Sequence, residues 1–198
     1  MLSLTVSPED SAVVSPLDIV SSFGDSVTFI CTAMGGSDFS YQWELNGAIV
    51  GSDSTLNLIS IDVSYGGNYT CHVSNAAGND SASTLLFVAP YIVTPLEQEI
   101  LTDNGSYIHI RCDAAGVPTP TVNWEEMLGL EVSNKSQLEF NPVMFGDEGV
   151  YVCVAFAEIN GKHFTTMDET TLIGNCQYIL AKIIFKFLTN VCSIHSFP

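Results

Sequence analysis

Short runs in which apolar and polar residues alternate recur along the chain, and they come in pairs. VTFIC at 27–31 has the pattern of YIHIRC at 107–112, TLNLISI at 55–61 matches QLEFNPV at 137–143, and NYTCHV at 68–73 matches VYVCVA at 150–155. A period of two over such lengths turns one face of a strand toward a core and the other toward water. Neither set of runs contains a stretch with a sustained helical period. Turn-forming pairs separate the runs at Asn46-Gly47, Gly66-Gly67, Gly78-Asn79, Gly146-Asp147 and Asn160-Gly161. The pattern predicts two all-β units in tandem.

Aligning the chain on its cysteines sharpens the repeat. Cys31, Trp43 and Cys71 recur as Cys112, Trp124 and Cys153. The interval from the first Cys to the Trp is identical in the two repeats, and the interval between the two Cys differs by a single position. Tyr69 and Tyr151 each stand two positions before the second cysteine. These landmarks resemble the immunoglobulin fold, a sandwich whose B and F strands are joined by a disulfide, with the strand-C Trp packed on it and a tyrosine corner before the second Cys. The resemblance covers about residues 8 to 173. It implies two bonds, Cys31–Cys71 and Cys112–Cys153, with Trp43, Trp124, Tyr69 and Tyr151 as core markers. In the chain-entropy model, closing a loop of that length contributes roughly 4 kcal/mol per unit.

The variety follows from counting. Trp43 to Leu56 and Trp124 to Leu138 leave no room for the extra strand of variable-type domains, and GVPTPTVNW at 116–124 is similar to the intermediate-set signature leading into strand C. The corner motif D-x-G-x-Y-x-C is complete in the second repeat as Asp147, Gly149, Tyr151 and Cys153, but the first repeat has Tyr65 in place of the Asp. The buried ion pair that this Asp makes in the family has no basic partner available in the first repeat.

The expected layout is an upstream remnant or leader at 1–7, domains at 8–89 and 90–173, and an apolar tail at 174–198. LSLTV at 2–6 reads as the last strand of a further upstream domain. LLFVAP and YIVTP leave about two residues of linker around Pro90, which predicts a semi-rigid pair. No secretory signal is visible in the first residues, so an exported protein would be represented here by a fragment.

Charge changes the picture of partners. Asp and Glu number 22 against five Lys and Arg, a formal net charge of -17, and residues 1–89 contain no Lys or Arg. Nucleic acid binding needs a basic patch and is excluded on this balance. Six Cys, four of them in repeat spacing, together with the sequons at Asn68, Asn79, Asn104 and Asn134, point to an extracellular or cell-surface setting. Asn68 ranks below the other three because it adjoins Tyr69.

Catalytic chemistry finds no footing. His72, His109, His163 and His195 sit in different elements without a motif, and His72 reads as a surface residue. Metal-binding spacing is missing from Glu97, Glu99 and Asp103, from Glu125 and Glu126, and from Asp168 and Glu169. The expectation is no enzyme, no metal and no cofactor. Alternation sends Val152, Val154 and Phe156 to the outer face of the second domain's C–F–G sheet, where the first domain has Thr70, His72 and Ser74. That apolar stripe is the candidate interface. A protein partner is expected, heterophilic and basic on charge grounds, or homophilic through the apolar face.

The resulting function is a non-catalytic protein-binding module in adhesion or recognition. Its alternatives are a receptor tyrosine kinase ectodomain and an intracellular titin-like array. The tail CQYILAKIIFKFLTNVC at 176–192 is short for a membrane span and carries Lys182 and Lys186 near its centre, at about 2.5 to 3.5 kcal/mol each. A surface helix or a gene-model artefact accounts for it better, and membrane association through it is the weaker reading.

Overall fold

The computed structural model describes residues 12–174, so the readings of LSLTV and of the 176–192 tail lie outside the described residues. By contact density the chain divides at Tyr91 and Ile92 into two compact units, with 115–119 and 157–164 grouped with the first. The described residues contain strands and two 3-10 turns but no α-helix.

In the first unit the strands are β1 (Val13–Ser15), β2 (Ile19–Ser21), β3 (Val27–Thr32), β4 (Ser40–Leu45), β5 (Ala48–Gly51), β6 (Thr55–Leu58), β7 (Gly67–Asn75) and β8 (Gly78–Ile92). One antiparallel sheet runs β1-β3-β6. The other contains β5-β4-β7-β8, with β2 parallel to β8 through Ile19↔Leu86 and Val20↔Phe87. Alternation decides what each sheet buries. Val27, Phe29 and Cys31 of β3 meet Tyr69, Cys71 and Val73 of β7 in one core with the fully buried Trp43. A disulfide joins Cys31 to Cys71 across the sheets, with Cα atoms 6.4 Å apart.

The remaining strands are β9 (Glu99–Thr102), β10 (Ile108–Arg111), β11 (Ala114–Val117), β12 (Thr121–Glu126), β13 (Glu131–Ser133), β14 (Gln137–Phe140), β15 (Gly149–Ile159) and β16 (Lys162–Gly174); β11 falls almost wholly in the 115–119 segment grouped with the first unit, and the second unit repeats the plan with the others. β10 pairs with β14, and the larger sheet runs β13-β12-β15-β16-β9, with β9 parallel to β16. Trp124 is fully buried beside the Cys112–Cys153 disulfide, whose Cα atoms are 6.3 Å apart. This is the tandem all-β sandwich that the repeat predicted.

Both tyrosine corners close in the same way. The Tyr69 hydroxyl donates to the Tyr65 carbonyl at 2.8 Å, and the Tyr151 hydroxyl donates to the Asp147 carbonyl at 2.7 Å. Burial pushes each phenol up to about 12, with Tyr65 adding to the effect at Tyr69, and Asp147 and Glu126 at Tyr151. Both phenols therefore stay protonated and able to donate at neutral pH.

The departure at Tyr65 has a local explanation. In the second unit the Asp147 carboxylate accepts from the Met144 N–H at 2.8 Å, closing the 3-10 turn Phe145–Asp147. In the first unit Asp62, which aligns with Met144, accepts instead from the Ser64 N–H at 2.7 Å and from the Ser64 hydroxyl. Those two bonds hold the Asp62 carboxyl below the usual carboxylate range. The capping carboxylate has moved three positions, so each turn keeps one. The family's buried ion pair is not the device used in either unit: among the described residues Asp147 has no basic partner, and Arg111 pairs at the surface with Asp113 at 2.8 Å.

Two expectations are corrected. β8 continues without a break from Gly78 to Ile92, so the residues around Pro90 are strand and not linker. Burial alternates in phase through Thr84, Leu86, Val88 and Pro90, so one face of the strand stays covered as far as the proline. Gly78-Asn79 likewise opens β8, and the hairpin turn falls at Ala76 and Ala77, where the Asn75 side chain accepts from the Ala77 and Gly78 N–H groups. At Asn46-Gly47 and Asn160-Gly161 the turns are where the sequence puts them, with positive φ at all four residues.

Candidate protein-docking faces

With the inward faces closed by the disulfides, binding chemistry has to come from the outward faces and the loops. In the first unit, register places Gln42 opposite His72, Glu44 opposite Thr70, and Ser40 opposite Ser74 on the outer face of β4 and β7. β8 adds Ser81 and Ser83 beside them. The groups bond to one another. Gln42 Nε2 donates to Glu44 Oε1 at 3.1 Å, His72 Nε2 lies 3.4 Å from Glu44 Oε2, and the Thr70 and Ser83 hydroxyls meet at 2.9 Å. His72 is thus a surface histidine in a polar network.

The same face in the second unit is less polar but not open in the way expected. β12 and β15 pair as Thr121↔Phe156, Asn123↔Val154 and Glu125↔Val152. Val152 is half-buried, Phe156 is exposed, and Val154 is buried at 7% exposure. The stripe Val152, Val154 and Phe156 is therefore corrected: it is not a continuous exposed surface. β15 is an interior strand, and facing side chains on paired strands stand only about 5 Å apart at Cβ. Asn123 stands directly opposite Val154, and its Nδ2 donates to Glu125 Oε1 at 3.2 Å, holding two polar side chains along the valines.

Exposed apolar side chains instead follow one another along the β12–β13 connection, which alternation could not reveal. Met127 is 77% exposed, Leu128 87% and Leu130 63%, with Val132 of the edge strand β13 also exposed. The loop closes tightly, with the Gly129 N–H bonded to the Glu126 carbonyl at 2.7 Å and the Glu126 N–H to the Leu130 carbonyl at 2.9 Å. Gly129 sits at φ 78°, a conformation that favours glycine. Glu125, Glu126 and Glu131 flank these residues in sequence, which gives the apolar run an acidic rim along the chain.

Each unit also carries a staple that sequence reasoning missed. Asp80 accepts from the Ala12 N–H at 2.7 Å and from the Ser81 N–H at 2.8 Å; Asp168 accepts from the Leu96 N–H at 2.7 Å and from the Glu169 N–H at 3.0 Å. The Ala12 and Ser81 bonds hold the Asp80 carboxyl below the usual range. The Asp168 carboxylate, weighed above as a metal ligand with Glu169, is thereby engaged by backbone N–H groups, one of them that of Glu169. Among the described residues no three His, Cys, Asp or Glu side chains converge on one point.

All four sequon asparagines within the described residues are exposed. Asn104 and Asn134 lie between strands, and Asn79 opens β8. Asn68 is in β7, where its neighbour Tyr69 points to the core and Asn68 itself points out. Adjacency to the buried Tyr69 therefore does not bury Asn68.

Comparison with known proteins gives the same architecture. An immunoglobulin-domain family model matches residues 9–75 and 89–156. Mouse hemicentin-2 is 29% identical over 170 residues, which is 76% of this chain and 3% of that protein. The mouse basement membrane-specific heparan sulfate proteoglycan core protein is 34% identical over 144 residues, 67% of this chain and 4% of that protein. The chain thus spans only a few per cent of the length of these relatives. Among solved structures, the insect immune protein hemolin superposes with a TM-score of 0.57 at 22% identity, over 84% of this chain and 48% of hemolin. With both repeats matched by the model and both disulfides, tryptophans and tyrosine corners in place, the chain belongs to the immunoglobulin-domain family.

Proposed function

We propose that this chain is a non-catalytic extracellular recognition module that binds a protein partner through the β12–β13 edge of its second unit. The observation that carries the reading is the group of exposed side chains Met127, Leu128, Leu130 and Val132 inside the rim of Glu125, Glu126 and Glu131. Exposed apolar groups of this size on a small domain mark interaction surfaces. The rim selects the partner: a protein presenting an apolar contact ringed by Lys or Arg gains from both terms, whereas a second copy of so acidic a chain meets like charge. The extracellular setting is supported by the two disulfides and by the basement-membrane name of a relative at 34% identity.

The test immobilises the full chain and passes over it a set of purified extracellular proteins with basic surfaces, with the chain itself as a further analyte. Saturable binding to a basic protein that weakens with added salt and is lost in Leu128→Asp is the expected outcome. Leu128 is almost fully solvated, so the substitution leaves the fold intact. Binding that survives Leu128→Asp, or that appears only between copies of the chain, overturns the reading.

A further inference from the structure

We infer that the outer face of the first unit is a glycan-bearing face, modified at Asn68 by an N-linked oligosaccharide that lies over Leu85 and the polar network beside it, and that it is for this reason not the docking face. Asn68 differs from an ordinary loop sequon because it sits within a strand. β7 directs Asn68, Thr70, His72 and Ser74 to one side, so the acceptor amide and the sequon hydroxyl stand together on the sheet surface, with Asn68 Nδ2 3.4 Å from Thr70 Oγ1. Asn68 is exposed, and a chain attached to Nδ2 leaves directly over the sheet.

Two further observations single out this face. Leu85 pairs with Asn68 across the ladder and is 37% exposed, a large apolar side chain on a surface otherwise made of Gln42, Glu44, Thr70, His72 and serines. A bulky hydrated substituent on the neighbouring residue covers it without disturbing the core. Asn79 stands on the same face at the other end, opposite Ser74, six positions of β7 from Asn68 and so about 20 Å away. The two sequons bracket the polar network, while Asn104 and Asn134 of the second unit lie in connections between strands.

The chemistry balances with one co-reactant, a lipid pyrophosphate-linked oligosaccharide presented by a membrane-bound glycosyltransferase of the secretory pathway. The bond between the anomeric carbon and the pyrophosphate oxygen breaks, the bond from that carbon to Asn68 Nδ2 forms, the lipid pyrophosphate leaves, and the amide nitrogen gives up one proton. No electrons are transferred to or from the protein.

The experiment uses the full chain secreted from mammalian cells. Residues 1–89 contain no Lys or Arg, so the peptides are made with chymotrypsin rather than trypsin. Enzymatic release of the glycan in heavy-oxygen water marks each formerly occupied Asn as a labelled Asp, and Asn68 is expected to carry the label in most copies. Thr70→Ala should abolish it and Thr70→Ser should retain it. Hydroxyl-radical footprinting should then show oxidation of Leu85 rising severalfold in Thr70→Ala relative to Thr70→Ser. An unlabelled Asn68, or Leu85 oxidation unchanged by loss of the sequon, overturns the inference. Neither result bears on binding through Leu128.

Discussion

The two units solve one packing problem with exchanged parts. In the first, the corner Tyr69 packs on Phe29 of β3 with ring centroids 5.1 Å apart, and the β6 position that aligns with Phe140 is Leu58. In the second, Tyr151 packs on Phe140 of β14, also at 5.1 Å, and the aligned β10 position is Ile110. The aromatic partner has moved to the opposite strand while the corner stays the same. The turn carboxylate shifts in the same manner from Asp62 to Asp147. What the fold requires is one ring against the corner and one carboxylate on the turn, not a particular residue to supply them.

Where no exchange occurs, the units differ in quality. Trp43 Nε1 donates to the Asp53 carbonyl at 2.9 Å, but Trp124 Nε1 is buried without a partner, as are Asn123 Oδ1 and Thr170 Oγ1. Among the described residues these three unpartnered buried atoms all lie in the second unit. Each costs on the order of 1–3 kcal/mol of desolvation that a bond would offset. On this count the first unit is the better satisfied.

Removing the disulfides is the largest perturbation and should treat the units alike. Their Cys separations are 40 and 41 in sequence, so Cys31→Ala/Cys71→Ala and Cys112→Ala/Cys153→Ala should each cost about 4 kcal/mol. Chemical unfolding followed by tryptophan fluorescence reads this out, and a cost confined to one unit breaks the symmetry.

The tryptophans should separate the units. Trp43→Phe loses a made bond, about 1 kcal/mol in addition to the change in packing, whereas Trp124→Phe removes an unpartnered donor and should cost measurably less. The chain has only two Trp, so each variant leaves one fluorophore to follow the other unit, and circular dichroism follows the whole. Equal costs would show that the Trp124 indole is bonded after all.

Alkaline pH should give the smallest contrast. Both corner phenols titrate near 12 when folded and near 10 when unfolded, so the folded state binds the proton more tightly. The stability they contribute is complete below about pH 10 and is lost as pH rises through about 12. Melting temperatures measured across that window should fall in both units, and Tyr69→Phe or Tyr151→Phe should flatten the fall in its own unit only.

What the sequence disclosed depended on whether the feature is a count along the chain. Cys31 to Trp43 to Cys71, and Tyr69 before Cys71, are fixed intervals set by strand lengths, and they survive into the structure intact. The Asp80 and Asp168 staples were hidden because Asp80 lies nine positions past Cys71 and Asp168 fifteen past Cys153. The longer β15–β16 hairpin destroys the register that would have aligned them. Val154 departs for a different reason: alternation gives the direction of a side chain, but its exposure depends on its neighbours, and β15 lies between β12 and β16 in the sheet. The exposed Met127, Leu128 and Leu130 lie in a connection, where no period applies.

The parallel pairing of β2 with β8, and of β9 with β16, carries a mechanical consequence. In each unit the chain enters near the first of these strands and leaves along the second. Tension on the two ends pulls neighbouring, like-directed strands in opposite senses. The bonds between them are then loaded in shear, all at once, rather than unzipped one after another. Asp80 and Asp168 pin the entering segment of each unit to the exiting strand, and so add one charge-assisted link to each clamp.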